Sequence, residues 1–183
     1  GIPINKIAKN NLRSQIANVS QDIFLFADSI FNNVTLYNPK ITMIDVEKAA
    51  IEIGIDKFIK KLPNGFNHIV NEGGTILSSG QRQLISFLRA YVLNPKILIL
   101  DEATSSVDLF TEELIQIAID RIIKNKTSII IAHRLTTIKK ADKIIVLEKG
   151  KIVETGAHSE LINIEHGHYK KLHELQFNKE KII

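Results

Sequence analysis

The sequence predicts an α/β fold built on a partly parallel sheet, and three observations carry that prediction. Residues 97–100 (Ile-Leu-Ile-Leu) are apolar at every position, the pattern of a strand buried on both faces. A second apolar run follows at 128–132, and a third at 143–147. Between the first two lies a helical stretch, 110–123, with Leu114, Ile115, Ala118 and Ile122 on one face. Strand, helix, strand with short connections is a crossover unit, which places its two strands parallel in one sheet.

The remaining elements follow in chain order. A short amphipathic helix around Ile7 and Leu12 leads into a small apolar strand, 16–19, which exits through Ser20, Gln21 and Asp22. From Asp28 to about Leu62 the periodicity is helical, with Val46, Ala49, Ala50 and Ile53 on one face. Leu62-Pro63-Asn64-Gly65 and Asn71-Glu72-Gly73-Gly74 are turn chemistry. A helix over 80–93 places Leu84, Phe87, Leu88 and Tyr91 on one stripe, and Asn94-Pro95 stops it, because proline disfavours helical geometry in the residue before it. Lys149-Gly150-Lys151 turns into a last strand, 152–154, and the chain from His158 onward reads as one or two amphipathic helices. There is no internal repeat and no low-complexity linker.

Composition narrows the function classes. At 183 residues the chain fits one domain, at about 150 residues per domain. With 44% hydrophobic and 24% charged residues it is globular rather than disordered. It has no cysteine, which excludes a disulfide scaffold and a thiolate metal or redox site. The longest apolar runs, such as 129–132, fall far short of the roughly 18 residues that span a bilayer. The start, Gly-Ile-Pro-Ile-Asn-Lys, lacks the features of a signal peptide, so the expected compartment is cytoplasmic. The net charge of +4 comes from scattered residues, mostly lysine, which is a solvated surface rather than a nucleic-acid footprint.

In a parallel sheet, ligands bind beyond the carboxyl ends of the strands. Asp101 and Glu102 directly follow the buried run 97–100; one carboxylate could order Mg²⁺ and the other polarise a water, or the strand simply runs out into solvent. His133 occupies the same place after the second run, as a donor to developing charge or as a satisfied edge residue. Gln21, after 16–19, offers an amide oxygen to a metal or is an exposed loop amide. Three polar exits from three apolar strands converge on one rim. At the start of the next helix, Leu77-Ser78-Ser79-Gly80-Gln81 offers free backbone N–H groups to an anion such as phosphate, or an N-cap by Ser78 or Ser79.

Taken together, these residues resemble the nucleotide-binding domain of ATP-binding cassette (ABC) transporters. Residues 77–81 look like the signature motif and 97–102 like the Walker B strand. Ser105-Ser106-Val107-Asp108 is similar to the D-loop, His133 to the H-loop and Gln21 to the Q-loop. The resemblance runs from about Gly1 to Gln176, and five motifs in register make it specific. It implies a P-loop NTPase-like (RecA-like) sheet flanked by helices. The α/β core portion would be 1–27 and 95–157, the helical signature subdomain 28–94 and the C-terminal helices 158–183.

The resemblance also assigns roles. Glu102 would be the general base that orients the attacking water. Asp101 and Gln21 would hold Mg²⁺, with Gln21 sensing the γ-phosphate of ATP. His133 would contact that phosphate and stabilise transition-state charge. Ser78, Ser79, Gly80 and Gln81 would complete the ATP site of a second ABC ATPase domain, and Asp108 would link the two sites across the dimer. Leu25-Phe26, 62–65, 70–74 and 131–135 look exporter-like, with 21–72 receiving the membrane domain at the cytoplasmic face of the membrane.

Two departures from the family pattern stand out. Ser79 replaces a usual glycine; a side chain there could crowd the backbone's approach to phosphate, although serine is small and could still donate a hydrogen bond. No G-x-x-x-x-G-K-[ST] loop is present. The resemblance implies that the chain begins after that loop, that roughly 30 residues or more of strand, loop and helix precede it, and that these 183 residues alone neither grip nor hydrolyse ATP. The alternative is a non-hydrolysing half-site that lends its signature to a partner ATPase. A chromosome-maintenance ATPase head is disfavoured because no sustained heptad lies between Asp28 and Leu77.

Overall fold

The computed structural model describes residues 1–101, 107–132 and 135–180, without the side chains of 135–136 and 176–180. The chain forms two compact units, 1–131 and 132–183.

The first unit opens with α1 (Lys9–Arg13) and β1 (Ile16–Val19), followed by a helical layer of α2 (Ile30–Thr35), α3 (Met43–Ile53), α4 (Asp56–Lys60) and α5 (Ser79–Val92). It closes with β2 (Ile97–Asp101), α6 (Leu109–Ile122) and β3 (Thr127–Ile131). The three strands form a parallel sheet in the order β1-β2-β3, with Ile16 opposite Ile97 and Ile97 opposite Thr127. The expected crossover is therefore present as β2-α6-β3.

One core joins the sheet to the helical layer. Val46, Ala49, Ala50 and Ile53 of α3 bury the predicted face. On α5, Leu84, Ile85, Phe87 and Leu88 are buried, and Ile115, Ala118, Ile119 and Ile122 of α6 join Leu98 and Leu100 in the same cluster. Asn94, in the left-handed region at φ 44°, and Pro95 end α5 where the sequence stops it.

The sheet departs from one expectation. Strand 97–100 is not buried on both faces: Leu98 and Leu100 are buried, whereas Ile97 and Ile99 are half-buried. On β3, Ile129 and Ile131 stand 56% and 52% exposed. The core cluster holds Leu98 and Leu100 but neither Ile129 nor Ile131, so α5 and α6 seal one face and leave the other open.

In the second unit, α7 (Leu135–Lys139) precedes β4 (Ile144–Glu148), β5 (Lys151–Gly156), α8 (His158–Leu161) and α9 (His168–Glu180). The third apolar run is β4, and among the described residues it pairs with β5 alone, antiparallel, through the turn at Lys149-Gly150. Val146 packs with Leu161 and Tyr169 in a small separate core. Glu154 helps hold α9, accepting from the backbone N–H groups of His168 at 2.6 Å and Tyr169 at 2.9 Å.

Candidate functional site

Because β1, β2 and β3 are parallel neighbours, their carboxyl ends share one rim. Gln21 lies two residues past β1 and is exposed, and Asp101 is the last residue of β2, half-buried and in register with Ile131. The structure thus brings Gln21 and Asp101 to the same edge of the sheet. Glu102, Ser105, Ser106 and His133 lie outside the described residues. A carboxylate and an amide oxygen are hard donors of the kind Mg²⁺ takes, usually with water and substrate phosphate completing its shell. Among the described residues no group of three or more His, Asp or Glu could hold a metal unaided. Asp101 and Gln21 fit as two ligands of such a cation.

The segment 77–81 starts α5 through a capping box. Ser78 is the N-cap: its Oγ accepts from the Gln81 N–H at 3.2 Å, and Gln81 Oε1 accepts from the Ser78 N–H at 3.0 Å. Two donors of the first turn are satisfied this way. Both bonds use acceptor atoms, so the Ser78 hydroxyl proton and the Gln81 amide N–H₂ remain available as donors, which is what an anion needs. Capping and anion binding are therefore compatible at this turn.

Ser79 is the first residue of α5 and its side chain is exposed. The position without room is Gly80. A Cβ there would lie 2.5 Å from Thr111 Cγ2 and 2.7 Å from Val107 Cγ1, both on stiff β-branched side chains. Gly80 is where the first turn of α5 meets the first turn of α6. Asp108 caps that neighbouring turn, its Oδ1 accepting from the Thr111 N–H at 3.0 Å. Hydrogen bonding from Thr111 holds the Asp108 carboxyl below its ordinary value of 3.8. The structure therefore brings Ser78, Gly80, Gln81 and Asp108 together at two adjoining helix starts.

The stretch after Gln21 is pinned residue by residue. The Phe24 carbonyl accepts from Arg89 Nη2 of α5 at 3.4 Å, and the Leu25 carbonyl accepts from the Gly73 N–H at 2.8 Å. Phe26 makes a reciprocal pair with the fully buried Asn33 of α2, its N–H donating to Oδ1 at 2.8 Å and its carbonyl accepting from Nδ2 at 3.0 Å. Leu25 itself packs on Gly74, where a Cβ would come within 2.7 Å of its Cδ1. The rings of Phe24 and Phe26 meet edge to face at 5.4 Å and stay largely exposed, as do Tyr37 and Ile69. Sequence reasoning missed Arg89 and Asn33. The signal for Arg89 is its place four residues after Ile85, a charge on a face that is otherwise buried.

A profile of the ABC transporter family matches residues 1–105. The chain belongs to the ABC transporter family. Among curated relatives, an ATP-dependent lipid A-core flippase of Wigglesworthia glossinidia brevipalpis is 49% identical over 97% of this chain and 31% of its own length. A probable multidrug resistance ABC transporter ATP-binding/permease protein of Bacillus subtilis is 47% identical over 96% of this chain and 26% of its own. A bacterial Atm1-family ABC exporter, solved with ATP bound, superposes with a TM-score of 0.83 at 36% identity, over 94% of this chain and 30% of that one. The fold is that of an ABC exporter's nucleotide-binding portion. The chain spans under a third of the length of each of these ABC proteins. No helix among its described residues is long and apolar enough to cross a membrane.

Proposed function

We propose that these residues belong to the ATP-hydrolysing domain of an ABC exporter, working at the cytoplasmic face of the membrane as one half of a dimer. The observation that carries this reading is the rim: parallel β1 and β2 bring Gln21 and Asp101 to one edge, and Glu102 follows Asp101 directly. Family membership supplies ATP as the substrate. The names of the curated relatives, one an ATP-binding/permease protein, support a membrane domain on the same full-length polypeptide.

In this reading Asp101 and Gln21 hold Mg²⁺, which when bound neutralises charge on the phosphates. Glu102 accepts a proton from the attacking water, and His133 donates to the γ-phosphate. Ser78 and Gln81 offer their free donors, with the N–H groups at Ser79 and Gly80, to ATP held by the second ATPase domain. Asp108 caps the turn against which Gly80 packs, which joins the end of the D-loop to the signature. The exposed aromatic surface of Phe24, Phe26 and Tyr37 is where the membrane domain docks.

Glu102→Gln in the full-length protein is expected to lower the rate of phosphate release from ATP by a factor of about 10² to 10⁴, the range for loss of a general base. A change under roughly threefold rejects the assignment. The 183 residues expressed alone, which contain no G-x-x-x-x-G-K-[ST] loop, are expected to show no Glu102-dependent hydrolysis.

A further inference from the structure

The segment that leads into the signature helix and the far end of that helix both hold the stretch after Gln21. Near its start, Gly74 packs on Leu25 and on Arg82 of α5, while the neighbouring Gly73 N–H donates to the Leu25 carbonyl. Near its end, half-buried Arg89 forks between two elements: Nε donates to the Asn33 carbonyl of α2 at 2.8 Å and Nη2 reaches the Phe24 carbonyl at 3.4 Å. Asn33 lies in the last turns of α2, where carbonyls lack helical partners and a cation is favoured. A planar guanidinium can serve two carbonyls on different elements at once, and a lysine ammonium on a flexible stem holds such a geometry poorly.

We propose that Arg89 is a positioning residue that locks the 22–26 segment to α5. Gln21, on one side of this chain's own ATP site, and Ser78–Gln81, offered to the partner's site, then shift as one body. The role rests on the proposed ATPase reading, whereas the lock is a property of the fold. When the membrane domain pushes on Phe24 and Phe26, the push reaches the signature through Arg89 rather than dissipating in a loop.

The test uses the full-length protein and a matched control. Arg121 of α6 also spends its guanidinium on two carbonyls, those of Ile51 at 3.3 Å and Glu52 at 2.9 Å, both on α3 rather than in 22–26. In Arg89→Met, amide exchange of a peptide covering 22–28 should quicken by roughly tenfold or more, and kcat for ATP should fall by roughly tenfold or more at saturating ATP. Arg121→Met should do neither at a comparable loss of Tm. Arg89→Lys, which keeps the charge and much of the packing, should fold and still show the faster exchange. Unchanged exchange of 22–28 in both Arg89 variants overturns the lock. Faster exchange with kcat no lower than in Arg121→Met overturns the positioning role. If instead Glu102→Gln leaves hydrolysis intact, the ATPase reading fails while the exchange arm still decides the lock.

Discussion

The two faces of the β1-β2-β3 sheet carry nearly the same residue types and meet different fates. On one face Ala17, Val19, Leu98 and Leu100 are buried under α5 and α6. On the other, Ile97 and Ile99 are half-buried and Ile129 and Ile131 more than half exposed. A run such as Ile-Leu-Ile-Leu states that both faces want cover; only tertiary structure states which face has it. Burial energetics in this chain are therefore set by what lies over a residue, not by how apolar it is.

The sharpest way to break that comparison is a paired truncation. Leu98→Ala removes a side chain that is fully buried and should cost about 2–5 kcal/mol of unfolding free energy. Ile129→Ala, next door on β3, should cost under about 1 kcal/mol, since the side chain is 56% exposed and leaves little cavity. Urea unfolding of the two variants decides it: equal losses would mean that the outer face is covered in solution. Isoleucines exposed side by side on Ile129 and Ile131 also favour association, so Ile129→Lys should lower the apparent mass in sedimentation if copies of the chain pair through this face.

The seal itself depends on α5 meeting α6, and the second prediction tests where that contact is tightest. Gly80→Val drives a branched side chain into Thr111 and Val107 and should cost about 2 kcal/mol or more. Ser79→Gly, one residue earlier, meets open space and should cost only about 0.5 kcal/mol, the helix-propensity difference. A thermal scan showing the two to be equal would remove Gly80 from the helix contact and leave its requirement unexplained by packing.

Much of this was legible in the sequence, and the reasons differ by element. The crossover β2-α6-β3 was readable because local periodicity and short connections leave one handed solution. A cap by Ser78 or Ser79 was readable because a hydroxyl at a helix start lies within one turn of the N–H it serves; that Ser78 takes it, with Gln81 reciprocating, is what the structure adds. Gln21 and Asp101 reached one rim because a parallel sheet aligns its carboxyl ends. What stayed hidden depends on separations of tens of residues. Arg89 meets Phe24 across 65 positions and Asn33 across 56, and no window on the sequence contains both partners. The turn at Lys149-Gly150 between β4 and β5 was legible because that pairing is local.

The smallest effect expected concerns acid, and it tests the seal from its other helix. Asp108 caps α6 through the Thr111 N–H, and hydrogen bonding from Thr111 lowers its pKa in the folded chain relative to the ordinary 3.8. A carboxyl whose native pKa lies below its unfolded value contributes stability that is fully present above the unfolded value. That contribution fades as pH falls toward and through the native one, because the folded chain then binds the proton less readily than the unfolded chain. Asp108→Asn keeps an oxygen acceptor for the cap but cannot titrate. The stability gap between the two proteins should therefore be constant from neutral pH down to about pH 5, then narrow below it. A gap that holds unchanged to the acid limit would mean that Asp108 caps α6 equally well in both protonation states.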